Sequence, residues 1–414
     1  MKEICACRMM AKAINYLFIV LWFSACGQPV PPPPPADEQI TETEVEKPLR
    51  LGAERTEAYL PKLEGKTVGI VANQTSVIGK THLVDSLLAL GVSIQSVFAP
   101  EHGFRGNASA GAKIHDTKDP KTGLSILSLH GSSFKPKPEV LEGLDVVIFD
   151  IQDVGTRFYT YISTMSYMIE ACAENGIEML VLDRPNPNGH YVDGPILKKE
   201  FSSFVGLHEV PVVHGMTVGE YAKMVNGQGW LKDSIKCDLT VIEMENYNRE
   251  EEYILPIAPS PNLPNQTAIY LYPSLCFFEG TEVSEGRGTD KPFQQFGYPK
   301  MTNGNTKFTP KSIDGVAKYP KLENKKCNGM DLSAIPLDSL RNMRQLNLEW
   351  LISTYQNYPE REKFFKSNFF DKLAGSSDLR EQIIVGESAD EIRGTWQEGL
   401  DDFQAIREQY LLYP

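Results

Sequence analysis

Short runs of continuous apolar residues alternate along this chain with stretches of helical periodicity, and the alternation begins at Lys66. The runs 66–73 (Thr67-Val68-Gly69-Ile70-Val71-Ala72), 93–99, 125–129, 145–149 (Val146-Val147-Ile148-Phe149) and 178–182 read as strands. Between them, 82–90 places Leu83, Leu87, Leu88 and Leu90 at helical spacing and stops at Gly91, and 161–175 reads as a helix ended by Gly176. Thr217 is set to cap a helix that runs through Asn226 and closes at Gly227, and 238–242 is a further strand. Strands that are apolar on both faces and separated by helices predict a parallel sheet covered by helices.

The proline-rich stretch 256–264 suits no regular element, and a domain boundary is expected beside it. Beyond it, 272–288 opens a second region that ends in helices at 347–355, 388–397 and 399–410. The last carries Leu400, Phe403, Ile406 and Tyr410 as a core stripe. The expected architecture is α/β: a parallel-sheet domain over 51–258, then a smaller α+β domain over 259–414, without internal repeats.

The start of the chain reads differently. Lys2, Arg8 and Lys12 precede an apolar run over 13–23 and the small residues Ser24-Ala25, a secretory signal over 1–25 too short for a typical spanning helix. Phe23-Ser24-Ala25-Cys26 resembles a bacterial lipobox, which would make Cys26 lipidated, although Phe stands where Leu is usual. A plain cleaved signal, or initiation at Met9 or Met10, leaves export unchanged. Pro31 to Pro35 and the acids Asp37, Glu38, Glu42, Glu44 and Glu46 make 26–50 a stiff, self-repelling tether. An exported lipoprotein is expected, anchored to a membrane and periplasmic or outer-membrane associated.

Composition narrows the partners. The net charge of −13 over 414 residues argues against a nucleic-acid binder and favours neutral or cationic partners. Cys172, Cys237, Cys276 and Cys327 lack CxxC spacing, so zinc and redox motifs are unsupported, and disulfides and buried thiols both stay open. No GxGxxG follows the first strand and no GxxxxGK[ST] occurs, which disfavours dinucleotides and nucleoside triphosphates; no cofactor is expected.

Chemistry concentrates after the strands. Asn73-Gln74-Thr75-Ser76, Glu101-His102, His130, Asp150 with Asp153, and Asp183-Arg184 each follow a strand, and in open α/β sheets such ends form one rim. Carboxylates, arginines, glycines and aromatics mix at 100–106, 149–161, 182–187 and 278–289, as a carbohydrate site requires. Glu101 is a candidate general acid or a salt-bridge partner of Arg105. His102 orients that acid or binds metal. Asp150 or Asp153 supplies a second carboxylate, holds a substrate hydroxyl, caps a helix or pairs with Arg157, and Asp183 with Arg184 reads more as a structural pair than as a catalyst. Glu279, Glu282 and Glu285 stand three apart near Arg287 without the calcium-loop pattern, which favours sugar contact over a metal.

In order along the chain, Val71-Ala72-Asn73-Gln74-Thr75-Ser76, Pro100-Glu101-His102-Gly103-Phe104-Arg105-Gly106, the run from Asp150 to Tyr161, Asp183-Arg184-Pro185-Asn186-Pro187, and Glu279-Gly280-Thr281 with Gly286-Arg287-Gly288-Thr289 resemble the exo-β-N-acetylmuramidases of the NamZ (YbbC-like) type. The resemblance runs from about Lys66 to Tyr413. It implies a Rossmann-like first domain, a smaller second domain, an active site in the cleft between them, and release of N-acetylmuramic acid from the non-reducing end of peptidoglycan fragments. It makes Glu101 the leading candidate acid. His102 and Asp153 are then expected to orient that acid or stabilise the developing oxocarbenium ion, and Arg105, Arg157 and Arg287 are candidates to grip the lactyl carboxylate. Asn73, Asp150, Tyr159, Asp183, Arg184, Glu279 and Glu282 complete the expected substrate contacts; Glu282 stands where the family has an amide. The second catalytic role is open between an Asp, Glu279 and the substrate's acetamido group. Two rival readings are a metal-dependent hydrolase using His102, His130, Asp150 and Asp153, and a non-catalytic lipoprotein that binds muropeptides.

Overall fold

The computed structural model describes residues 47–100, 103–105, 117–129 and 134–414. The predicted signal, Cys26 and the tether up to residue 46 lie outside the described residues, as do Glu101, His102 and His130.

The expected strands form as β1 (Thr67–Ala72), β2 (Ser93–Ala99), β4 (Ser125–Ser128), β5 (Val146–Asp150), β6 (Glu178–Leu182) and β7 (Leu239–Ile242), with a short additional β3 (Thr117–Lys118). They make a 7-stranded sheet in the order β3-β4-β2-β1-β5-β6-β7. All neighbours are parallel except the edge pair β3 and β4. The chain starts mid-sheet at β1, winds outward through β2 and β4, then returns to β5 on the other side of β1 and continues through β6 to β7. Winding direction therefore reverses between β1 and β5, which pair from Val68↔Val146 to Ala72↔Asp150. A crevice outside the strand ends at such a reversal is the usual ligand position in sheets of this kind.

Both faces of the sheet are covered, which explains why the strands read as nearly unbroken apolar runs. Val68, Ile70, Ala72, Val97, Val146, Ile148, Leu180 and Leu182 pack with residues of α1 (Thr56–Leu63) and α2 (Leu83–Ala89). The alternate residues Val71, Phe98, Val147, Phe149, Met179 and Val181 pack with α3 (Tyr161–Asn175) and α4 (Val218–Gln228). Thr217 caps α4 as expected, in a reciprocal arrangement with Glu220. The helix runs past Gly227, however, and closes at Gly229, which has φ 69°. Gly227 is a packing position: a Cβ there would lie 2.4 Å from the Tyr410 ring.

Asn265 caps α5 (Gln266–Leu275) through a hydrogen bond from the Ala268 N–H, 3.0 Å long. A three-stranded antiparallel sheet follows, β8 (Gln295–Tyr298), β9 (Thr306–Phe308) and β10 (Cys327–Asp331), in the order β8-β10-β9. The chain then turns to α6 (Glu349–Asn357), α7 (Ser367–Ala374), α8 (Asp378–Val385) and α9 (Gln397–Arg407). The helix expected over 388–397 is confined to Ala389–Gly394, capped by Ser388. The larger apolar core passes without a break from β5 and α3 to Tyr272, Phe277, Phe293, Phe364, Phe370 and Phe403, and residues 47–414 form one compact unit. The stretch 256–264 holds no helix or strand. It is pinned by hydrogen bonds from Gln74 to the Ala258 and Pro259 carbonyls and from the Tyr161 hydroxyl to Pro259. Cys172, Cys237, Cys276 and Cys327 are free, buried thiols.

The end of the chain tucks into the first region. The Tyr413 hydroxyl donates to Asp183 Oδ2 at 2.7 Å and accepts from the Met244 N–H at 2.9 Å, while Arg249 donates to the Tyr413 carbonyl at 2.8 Å.

Candidate active site

At the reversal point the loops after β1 and β5 are locked together. Asn73 Oδ1 accepts from the Thr75 N–H and hydroxyl at 2.9 and 2.6 Å, and Thr75 Oγ1 accepts from the Gln152 N–H at 3.0 Å. The Ser76 hydroxyl closes on the Asp150 carbonyl. Asn73 Nδ2 is buried and without a partner.

Asp150 and Asp183, buried at the ends of adjacent strands, are fully engaged. Arg184 donates to both oxygens of Asp150, at 2.5 and 2.9 Å. Asp183 and Arg184 make no side-chain pair with each other: Asp183 accepts from the Arg184 and Gly219 N–H groups at 3.0 and 2.8 Å and from the Thr217 and Tyr413 hydroxyls, both at 2.7 Å. These two carboxylates organise the strand ends rather than offering free oxygens.

Asp153 is different. Its Oδ2 accepts from the Gly155 N–H at 2.7 Å, while Oδ1 is buried without a hydrogen-bond partner. Burial pushes its carboxyl up to about 7. Gly155 makes this turn with φ 77°, and a Cβ there would lie 2.1 Å from Asn186 Oδ1.

Aromatic rings run from Tyr159 and Tyr161, just beyond Asp153 in the chain, to Tyr272 and Phe293 of the second region. Burial first, then the neighbouring Tyr161 and Tyr272 hydroxyls, raise the pKa of the buried Tyr159 hydroxyl well above the ordinary tyrosine value. Tyr159 meets Tyr161 and Tyr272 edge-on, with centroids 4.9 and 5.8 Å apart. Tyr272 meets Phe293 at 4.9 Å, and the Arg287 guanidinium lies over the Phe293 ring at 5.0 Å.

The acids of the 279–289 loop are paired. Arg287 bonds Glu279 at 2.6 Å and approaches Glu285 at 3.5 Å, Lys321 meets Glu285 at 2.8 Å, and the half-exposed Glu282 lies 3.5 Å from Lys366. The two glutamates hold Arg287 firmly ionised despite desolvation.

The three candidate carboxylate-gripping arginines separate clearly. Arg105 binds Asp119 in a fork, at 3.1 and 2.8 Å, and lies over the Phe104 ring. Arg157 is fully buried and donates to the carbonyls of Pro195, Val210 and Leu373 at 2.7, 2.6 and 3.0 Å. Arg287 alone of the three stands beside the aromatic group. Glu101 and His102 follow Pro100, the residue after β2, and precede Gly103, whose N–H donates to the Pro100 carbonyl at 3.1 Å.

Sequence reasoning overlooked Tyr272 and Phe293 as site walls, and Asn262 and Gln294, each of which buries a polar atom without a partner. Asn262 sits in the proline-rich stretch, where a buried Asn beside turn prolines was the available signal. Nothing in the spacing of Tyr272, Phe293 or Gln294 marks them out.

Comparison with known proteins accounts for nearly all of the described chain. Residues 68–267 match the family model described as exo-beta-N-acetylmuramidase NamZ, N-terminal, and residues 270–413 match its C-terminal counterpart. The peptidoglycan beta-N-acetylmuramidase NamZ of Bacillus subtilis (strain 168) is 39% identical over 374 residues, 86% of this chain and 89% of that protein. A DUF1343 family protein of Bacteroides fragilis NCTC 9343 superposes with a TM-score of 0.82 at 48% identity, over 89% of this chain and 99% of that one. A second DUF1343 family protein from the same strain gives a TM-score of 0.76 at 30% identity, over 88% and 99%. With both halves matched in order, the chain belongs to the NamZ family of exo-β-N-acetylmuramidases.

Proposed function

We propose that this protein is an exo-acting glycoside hydrolase that releases N-acetylmuramic acid from the non-reducing end of MurNAc-β-1,4-GlcNAc fragments of peptidoglycan, in cell-wall turnover and recycling. Beyond family membership, the observation that supports the reading is Asp153, a buried carboxyl with one unpartnered oxygen in the loop that follows β5 at the reversal point. Aromatic walls and one free acid suit a sugar ring. In this reading Glu101 protonates the leaving GlcNAc oxygen, His102 orients that acid, and Asp153 answers the charge developing on the muramic acid ring. Arg287 is the best placed of the three arginines to meet the lactyl carboxylate, since Arg105 is forked onto Asp119 and Arg157 onto backbone carbonyls. The test is Glu101→Gln with a chromogenic β-N-acetylmuraminide: release should fall by about 10²-fold or more, and near-parental release removes Glu101 from the role.

Asp150 speaks for this reading over a metal-dependent hydrolase, because Arg184 engages both of its oxygens. Activity that survives chelation, with no metal in elemental analysis, is the expected result. Turnover of the chromogenic substrate separates the enzyme from a muropeptide-binding lipoprotein.

The same proposal places the enzyme outside the cytoplasm, held on a membrane by lipid at Cys26 and the proline-rich, acidic tether. Detergent partitioning tests it: Cys26→Ser should move the protein from the detergent to the aqueous phase.

A further inference from the structure

A cavity of about 240 Å³ opens at the reversal point, and the loops after β1, β5 and β6 each give it a wall residue: Thr75, Gln152 and Arg184. The segment ahead of α1 adds Leu51 and Glu54, and the approach to the proline-rich stretch adds Tyr253 and Leu255. Its polar groups are only partly used. Arg184 spends Nε and Nη2 on Asp150 and the Val77 carbonyl, which leaves Nη1 without a hydrogen bond among the described residues. Gln152 gives Nε2 to the Asp153 and Pro185 carbonyls, at 2.8 and 2.6 Å, and its Oε1 accepts nothing from the described residues. Glu54 Oε2 takes the Leu51 N–H at 2.9 Å, and Glu54 has no cation partner among those residues. The cavity also touches both motifs that carry the proposed reaction. Gln152 adjoins Asp153, and Val77, another wall residue, pairs with His82, whose ring meets Phe104 edge-on at 4.7 Å in the motif that contains Glu101.

Resting on the muramidase reading above, we propose that this cavity binds the N-acetylglucosamine residue on the leaving side of the substrate. Its volume, below the roughly 300–1,000 Å³ of sites for drug-sized ligands, suits one sugar ring and not two. A sugar hydroxyl both donates and accepts, so one pyranose can take the Nη1 N–H of Arg184 while giving to Gln152 Oε1 and to Glu54. Leu51 and Leu255 offer apolar surface to the ring C–H groups and the acetamido methyl. Charge decides which half of the substrate enters. Glu54 and Arg184 are the charged residues of the wall, and Asp150 already answers Arg184, so the wall is left net negative. It accepts a neutral N-acetylglucosamine and opposes the lactyl carboxylate of muramic acid. The carboxylate is thus left to Arg287, and the neutral sugar to this cavity.

Two substrates and one binding measurement test this. Leu255→Trp narrows the cavity from a half-buried position outside any helix or strand, and Tyr253→Phe trims a wall hydroxyl without changing the ring. In Leu255→Trp, kcat/KM on MurNAc-β-1,4-GlcNAc should fall by about tenfold relative to kcat/KM on a chromogenic muramide, whose leaving group is not a sugar; Tyr253→Phe should move the ratio the same way. Saturation-transfer NMR on the parent should detect N-acetylglucosamine, and Leu255→Trp should abolish the signal. Loss of that signal with an unchanged ratio assigns the cavity to free N-acetylglucosamine and overturns its place on the leaving side. A parent that binds no N-acetylglucosamine, or binding that persists in Leu255→Trp, overturns the site and leaves the muramidase reading standing. A parent that releases sugar from neither substrate overturns the muramidase reading itself, on which the NMR measurement does not depend.

Discussion

Arg184 reaches across from the end of β6 to hold both carboxylate oxygens of Asp150 at the end of β5, at 2.5 and 2.9 Å, with both side chains buried. A fork of this kind fixes direction as well as distance, and a lysine cannot reproduce it. Arg184→Met and Asp150→Asn are each expected to cost about 3–5 kcal/mol, because one buried charge loses its partner. Urea denaturation of the single variants and of Asp150→Asn/Arg184→Met checks this: the double variant should lose less than the sum of the singles.

Asp153 should make stability depend on pH in the opposite sense to a salt-bridged acid. Its folded-state pKa is raised from 3.8 to about 7. The folded protein therefore holds a proton that the unfolded chain has released, so the contribution is fully present below pH 3.8 and is lost as pH rises through about 7. At about 1.36 kcal/mol per pKa unit the full effect is on the order of 4 kcal/mol. Asp153→Asn should remove this dependence, and denaturant midpoints at pH 5 and pH 8 should converge in the variant relative to the parent.

Gly155 joins backbone conformation to the site. It has φ 77°, and the Asn186 side chain, fixed by hydrogen bonds to the Met216 carbonyl and from the Asn188 N–H at 2.8 Å each, fills the space a Cβ would need. Gly155→Ala is expected to cost more than about 1 kcal/mol. It should also lower kcat, since the displaced N–H is the one that holds Asp153 Oδ2. Thermal melts and initial rates on one preparation measure both.

Arg157 should behave as a structural cation. Arg157→Leu strands the carbonyls of Pro195, Val210 and Leu373, and a loss on the order of 3–5 kcal/mol is expected. At temperatures where the variant remains folded, KM should stay close to the parent value, whereas Arg287→Leu should raise KM for a substrate carrying the lactyl carboxylate. A melt combined with Michaelis kinetics separates the two arginines.

The parallel sheet was legible because each of its longer strands is buried on both faces and so is written as a continuous apolar run, from Val146 to Phe149 most plainly. The antiparallel sheet of the second region carries no such signal. In β10 the sequence Cys327-Asn328-Gly329-Met330-Asp331 lacks clean alternation, and Gly297 and Gly329 are dictated by pairing itself, since a Cβ at either would lie 2.2 Å from the Asn328 or 2.3 Å from the Phe296 carbonyl oxygen. The strand-end motifs pointed to the right loops. They could not distribute partners within them: that Arg184 takes Asp150, that Arg157 turns inward to carbonyls, and that Asp153 is left with a free oxygen are outcomes of packing between residues far apart in sequence. Gly227 shows the same limit, since its reason is a tyrosine ring on α9's flank, not the end of a helix.

The hydroxyl of Tyr413 that completes the shell around Asp183 belongs to a residue 230 positions further along the chain. During synthesis the strand carrying Asp183 therefore exists long before the group that satisfies it. The sheet can gather its apolar faces early, but its carboxyl edge stays unsealed until almost all of the second region has been made, so final closure at the rim is a late event that couples the folding of both regions.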